Sequence, residues 1–136
     1  DSFHPVPFFS FGDRGFTYDE VTYTLNAVQY GYYYTQVSLY SDTITQNPPT
    51  TDMERNTASA RMDNNWLSIA PKATLIVDGV EYSILEEEGH SAVWMDSEGD
   101  ASKPYRCYMH LFFPDIKYGY VDSIILEIGG ESVTIK

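Results

Sequence analysis

The stretch Ala73-Thr-Leu-Ile-Val-Asp-Gly-Val-Glu-Tyr-Ser-Ile-Leu85 specifies a β-hairpin together with its register. Asp78-Gly79 suits a two-residue type I′ turn, in which both central residues adopt positive φ and the flanking strands keep their twist. A turn at that place pairs Val77 with Val80, Leu75 with Tyr82 and Ala73 with Ile84 on one face. The other face carries Ile76 opposite Glu81 and Thr74 opposite Ser83. One face is apolar and the other mostly polar, as a half-buried antiparallel pair requires.

The region Ser123 to Lys136 follows the same rule. Around Gly129-Gly130, Leu126 meets Val133 and Ile124 meets Ile135, while Glu127 meets Ser132 and Ser123 meets Lys136. Ile125 is the one large apolar residue on the polar side. Between the two hairpins, Tyr105 to Phe113 alternates. Tyr105, Cys107, Met109, Leu111 and Phe113 lie on one side, against Arg106, Tyr108, His110 and Phe112. Three apolar faces of this kind need one another to leave water, which is the logic of a sheet-on-sheet core.

The first half reads as further strands. Val21-Thr-Tyr-Thr-Leu-Asn-Ala27 alternates, Gly31 interrupts, and Tyr33, Val37 and Leu39 then share a face opposite Tyr34, Gln36, Ser38 and Tyr40. These are two adjacent strands with a bend or bulge near Gly31. Residues 1–16 carry five phenylalanines among prolines and glycines, a pattern for an extended edge strand or an arm rather than a helix. Thr51-Asp-Met-Glu54 has capping-box spacing, and with no strong apolar period downstream it predicts a helix of one or two turns. Trp66-Leu-Ser-Ile69 and Ser91 to Met95 read as short strands. Together these predict one all-β domain over residues 1–136. They predict an antiparallel β-sandwich of about seven to nine strands, with at most one short helix and residues 1–16 as arm or edge. A small barrel is the alternative.

Bulk properties narrow the function. The 136 residues make one domain of ordinary hydrophobic content, 43%, so disorder is excluded. The apolar runs Leu111–Phe113 and Ile124–Leu126 are far too short to span a bilayer. The net charge is −12 and the eight basic residues are scattered. Nucleic acid and anionic membrane are therefore excluded as expected partners. A single cysteine, Cys107, rules out an internal disulfide.

Few residue constellations point to chemistry. Cys107, Met109 and His110 are copper-type ligands, but both sulfurs share a strand face with Leu111 and Phe113, where they serve as core filling. Asp96, Glu98 and Asp100, with Glu86 to Glu88 nearby, offer oxygen ligands for calcium; a solvated acidic turn is the commoner use of such residues. No Gly-x-Ser-x-Gly, phosphate loop or clustered histidines occur, so no enzyme, cofactor or catalytic residue is expected. The tyrosines carry the clearest pointer. Tyr30, Tyr32 and Tyr34, with Trp66 and Trp94, are the candidate ligand-binding residues, because flat rings with a polar handle suit sugar stacking and protein interfaces. Core and cross-strand pairing is the ordinary alternative for strand aromatics.

Residues 71–136 resemble the immunoglobulin-like domains attached to bacterial lipoproteins and cell-surface proteins. The likeness rests on Leu75-Ile-Val-Asp-Gly-Val-Glu-Tyr82, Leu111-Phe-Phe-Pro-Asp-Ile116 and the terminal strand pair Ser123 to Ile135. It implies a central hairpin, a late core strand ending in Phe-Pro and a closing hairpin. It further implies a non-catalytic extracellular or cell-surface module, lipid-anchored if at all through a segment outside this chain. The expected function is accordingly a binding or structural role, with a glycan or another protein as partner. The alternatives are a carbohydrate-binding module with a Tyr/Trp platform and a copper- or calcium-binding extracytoplasmic domain.

Overall fold

The computed structural model describes residues 8–31, 33–42, 50–85, 92–95 and 106–136, with only the backbone at residues 8, 10 and 92–95. In chain order the elements are β1 (Phe8–Ser10), β2 (Gly15–Tyr18), β3 (Val21–Tyr30), β4 (Tyr34–Ser41) and helix α1 (Asp52–Ile69). There follow β5 (Ala73–Val77), β6 (Val80–Ser83), β7 (Ala92–Met95), β8 (Arg106–Pro114), β9 (Ile124–Ile128) and β10 (Glu131–Thr134). The strands form two antiparallel sheets. The larger has the order β1-β3-β4-β8-β7 with β2 also on β3, and the smaller has the order β10-β9-β5-β6.

Both hairpins fold in the register their sequences predict. Across β5 and β6, Val77 stands opposite Val80, Leu75 opposite Tyr82, Ile76 opposite Glu81 and Thr74 opposite Ser83. Asp78 and Gly79 take φ of 48° and 83°, the left-handed pair that a type I′ turn requires. Across β9 and β10, Leu126 meets Val133 and Glu127 meets Ser132. The two hairpins then join through β5 and β9, which lays Leu75 beside Leu126 and Val77 beside Ile124. Val80 is 54% exposed, although its hairpin face is apolar; among the described residues β6 is the edge strand of its sheet.

In the larger sheet the inward residues of β4 and β8 are Thr35, Val37, Leu39 and Ser41 against Phe113, Leu111, Met109 and Cys107. The irregularity in β3 lies at Asn26, where the register with β4 slips between Leu25 and Ala27. Gly31, where the sequence predicts a bend or bulge between two adjacent strands, is where the chain passes from β3 to β4, with the Gly31 amide donating to the Tyr34 carbonyl at 3.0 Å. The bulge lets two short pieces share one edge of β3. The Phe11 amide donates to Asn26 and the Leu25 amide to Arg14, both at 2.8 Å, between the β1 and β2 pairings. Gly15 is required at this edge, since a Cβ there would sit 2.3 Å from the Tyr23 carbonyl oxygen.

The helix departs most from expectation. It does start at the predicted cap: the Glu54 amide donates to Thr51 Oγ1 at 3.1 Å, and the Thr51 hydroxyl donates to the Glu54 carboxylate at 3.1 Å. It then runs for 18 residues and absorbs Trp66–Ile69, which the sequence reading placed in a strand. Its inward stripe is one residue wide. Ala58, Met62 and Ile69 are buried and Trp66 lies partly buried against the core, while Met53 and Leu67 are exposed to water among the polar residues of the remaining surface. So thin a stripe gives little periodic signal, and tertiary packing rather than propensity holds the helix. Asn65 donates to the Tyr23 hydroxyl at 3.0 Å, and Trp66 Nε1 donates to the His110 carbonyl at 3.2 Å, fixing α1 to β3 and β8.

One continuous core results, with Tyr23, Leu25, Leu39, Met109 and Phe113 from the larger sheet, Leu75, Leu126 and Ile128 from the smaller, and Met62 and Ile69 from the helix. The sheets also meet at two corners. The Leu85 amide donates to the Phe112 carbonyl at 2.8 Å, and the Arg14 guanidinium donates to the Thr134 carbonyl at 3.0 Å.

Candidate functional site on the outer face of β4 and β8

Among the candidate binding residues whose side chains are described, Tyr30, Tyr34 and Trp66 do not share one face. Tyr30 lies on the inner face, 4% exposed, with its ring edge-on to Phe9 at 5.8 Å and tilted against Tyr118 at 5.1 Å. Tyr34 lies on the outer face, half-buried. β3 ends at Tyr30 and β4 begins at Tyr34, and the two rings fall on opposite faces of the sheet. Trp66 is on the helix and directs its indole N–H at a strand carbonyl. Trp94 stands opposite Cys107 in the β7–β8 register. Tyr32 lies outside the described residues, as do Asp96, Glu98, Asp100 and Glu86 to Glu88. Tyr33 and Tyr120 are exposed at 84% and 90%.

The copper constellation is divided across the sheet. Cys107 and Met109 are wholly buried on the inner face, while His110 points outward. Burial pushes the Cys107 thiol up to about 12, far from the thiolate a soft metal would need. Among the described residues no three His, Cys, Asp or Glu side chains come together as metal ligands.

What the outer face does assemble is a strip along β4 and β8. The pairing Gln36–Phe112, Ser38–His110 and Tyr40–Tyr108 sets the outward residues of both strands side by side. At one end Tyr34 and Phe112 meet edge to face, with centroids 4.9 Å apart and planes at 88°. At the other end Tyr40 and Tyr108 lie 5.9 Å apart, and the Arg106 guanidinium sits 4.2 Å above the Tyr40 ring. Arg106 Nε also donates to Asp42 Oδ1 at 3.1 Å, so this end's cation and anion are spent on each other.

Between the two aromatic ends lies a hydrogen-bonded group. Ser38 Oγ is 2.8 Å from His110 Nδ1, and Gln36 Nε2 is 3.1 Å from the same nitrogen and 3.3 Å from Ser38 Oγ. All three contacts are satisfied together when Nδ1 accepts from the Ser38 hydroxyl and the Gln36 amide. That places the imidazole proton on Nε2. Among the described residues, no hydrogen bond then engages the Nε2–H donor or the Gln36 Oε1 acceptor. Desolvation holds His110 below the ordinary imidazole range, so the group is neutral near pH 7. A serine–histidine contact is also the beginning of a nucleophile–base pair. Here the third member is an amide, and among the described residues no carboxylate hydrogen-bonds the ring.

Comparison with known proteins returns no matching family model and no significant match among curated proteins or solved structures.

Of the strip's members, the candidate list contained only Tyr34. Gln36, Ser38, Tyr40, Tyr108, His110 and Phe112 each stand on the outward side of a legible alternation. The missing knowledge was that their two strands are neighbours.

Proposed function

We propose that this chain is a non-catalytic binding module of the secreted space or the cell surface, and that it binds through the outer face of β4 and β8. One observation carries the reading. On two adjacent central strands, the outward positions from Tyr34 to Tyr40 and from Tyr108 to Phe112 are rings or neutral hydrogen-bonding groups. A sheet face exposed only to water is ordinarily rich in charged residues, whereas here two pairs of half-buried rings flank a neutral hydrogen-bonding centre. The likeness of residues 71–136 to immunoglobulin-like surface domains agrees with a module of this kind.

A thermal-shift screen of the folded chain against glycans, peptides, calcium and copper tests the reading. A ligand at a hundredfold its dissociation constant adds about 2.7 kcal/mol. With an unfolding entropy near 2.1 cal/mol/K per residue, that is about nine degrees at this length. The shift is expected in the parent chain and lost in Tyr40→Ala. A shift that persists in that variant, or a flat response in every class, refutes the assignment of the face.

A further inference from the structure

The strip is polar in the middle and aromatic at its ends. Protein interfaces are organised the other way round, with an aromatic, apolar centre and a polar rim. The dimensions also select the ligand. At roughly 3.3 Å per residue, Tyr108 and Phe112 stand about 13 Å apart along β8, and Tyr34 and Tyr40 about 20 Å apart along β4. A single sugar ring does not reach across such a gap, whereas a linear chain of rings does.

Charge narrows the class. Among the described outward residues of β3, β4 and β8, the one charged group is Arg106, and it is bonded to Asp42, the residue after β4. The central histidine is neutral. The chain as a whole carries −12, a field that repels polyanions. Neutral sugars need no countercharge: they present an apolar face to flat rings and hydroxyls that both donate and accept.

Resting on the binding-face reading above, we propose that the outer face of β4 and β8 takes a neutral linear oligosaccharide. One ring stacks at Tyr34 and Phe112 and another at Tyr40 and Tyr108, and the intervening hydroxyls meet Gln36 Oε1 and His110 Nε2.

The test is affinity electrophoresis of the folded chain through gels containing a neutral polymer (xylan, mannan or β-glucan) or an anionic one (alginate or heparin), followed by calorimetry on matching oligosaccharides. An immobilised peptide library is probed in parallel. Tyr34→Ala, Tyr40→Ala and Gln36→Ala alter the strip; Tyr33→Ala and Tyr120→Ala alter exposed tyrosines elsewhere. Thermal midpoints close to the parent's confirm that each variant is folded. The expected result is retardation by a neutral polymer, weakened about tenfold or more by each strip variant and unchanged in the two others. Binding only to anionic polymers or peptides, lost in the strip variants, overturns the neutral-glycan assignment and leaves the face as the site. Binding of a neutral polymer that survives the strip variants overturns the face itself. No retardation by any neutral polymer overturns the glycan assignment, and the thermal-shift screen then decides the face separately.

Discussion

Asp78 links the first hairpin to the strand beside it. Its backbone occupies the left-handed turn position, and its carboxylate Oδ1 accepts from the Asp122 and Ser123 amides at 2.9 and 2.8 Å. Its own amide donates to the Ser123 carbonyl at 2.9 Å. Replacing it separates the two roles. Asp78→Gly keeps the turn and loses both carboxylate bonds; at an exposed site each is worth about 1 kcal/mol, so the loss is about 2 kcal/mol. Asp78→Ala adds the left-handed penalty of an L-residue, roughly 1 kcal/mol, for a total near 3 kcal/mol. Asp78→Asn keeps an acceptor and tolerates positive φ, and is expected to lose about 1 kcal/mol or less. An unfolding entropy near 2.1 cal/mol/K per residue makes about 0.29 kcal/mol/K for the chain, so the midpoints fall by about 3, 7 and 10 degrees for Asn, Gly and Ala. Thermal unfolding followed by circular dichroism or calorimetry measures the series. If Gly and Ala both melt within two degrees of the parent, the stitch from hairpin to strand contributes nothing and the reasoning fails.

Three further outcomes are expected. The Tyr30 hydroxyl is buried and has no hydrogen-bond partner among the described residues, so Tyr30→Phe is expected to hold or raise stability by up to about 1 kcal/mol; a loss beyond that in denaturant titration would mean the hydroxyl is bonded. Burial raises the Tyr23 phenol and the Cys107 thiol to about 12 each. Both favour the neutral form in the folded state, so their contribution is complete below pH 9 and is lost as pH rises from 9 to 12. Native Cys107 should resist thiol reagents at pH 8 and react only after denaturation; rapid native labelling would place it elsewhere than in the core. His110 runs in the opposite sense. Its folded-state pKa lies below that of the unfolded chain, so the unfolded chain binds more protons and stability falls as pH drops below about 6.5. His110→Gln should flatten that acid limb in pH-dependent melting, and an unchanged limb would assign it to other groups.

Local chemistry was legible where one segment contained its own evidence. Asp78-Gly79 and Gly129-Gly130 announce both turns, and alternation around them sets both registers. Cys107 and Met109 read as core for the same reason, and both are buried. The helix was less legible because a stripe of Ala58, Met62 and Ile69, one residue wide, is weak periodicity. Its length is set by contacts with Tyr23 and His110 that lie far away in sequence. Tyr30 and Tyr34 were candidates on ring chemistry alone, and the break between β3 and β4 puts them on opposite faces. The strip was visible as two separate half-patterns. Nothing local states that β4 and β8 are neighbours.

That separation has a kinetic side. Gln36 and His110 are 74 residues apart in sequence, whereas each hairpin of the smaller sheet closes over a two-residue turn. Chain closure over the longer distance costs more entropy and comes later, so the hairpins are expected to form before β4 and β8 meet. The outer strip has no precursor in any one segment. A nascent or partly unfolded chain therefore lacks the strip, and under the proposed function binding competence would be a direct readout that β4 and β8 have paired.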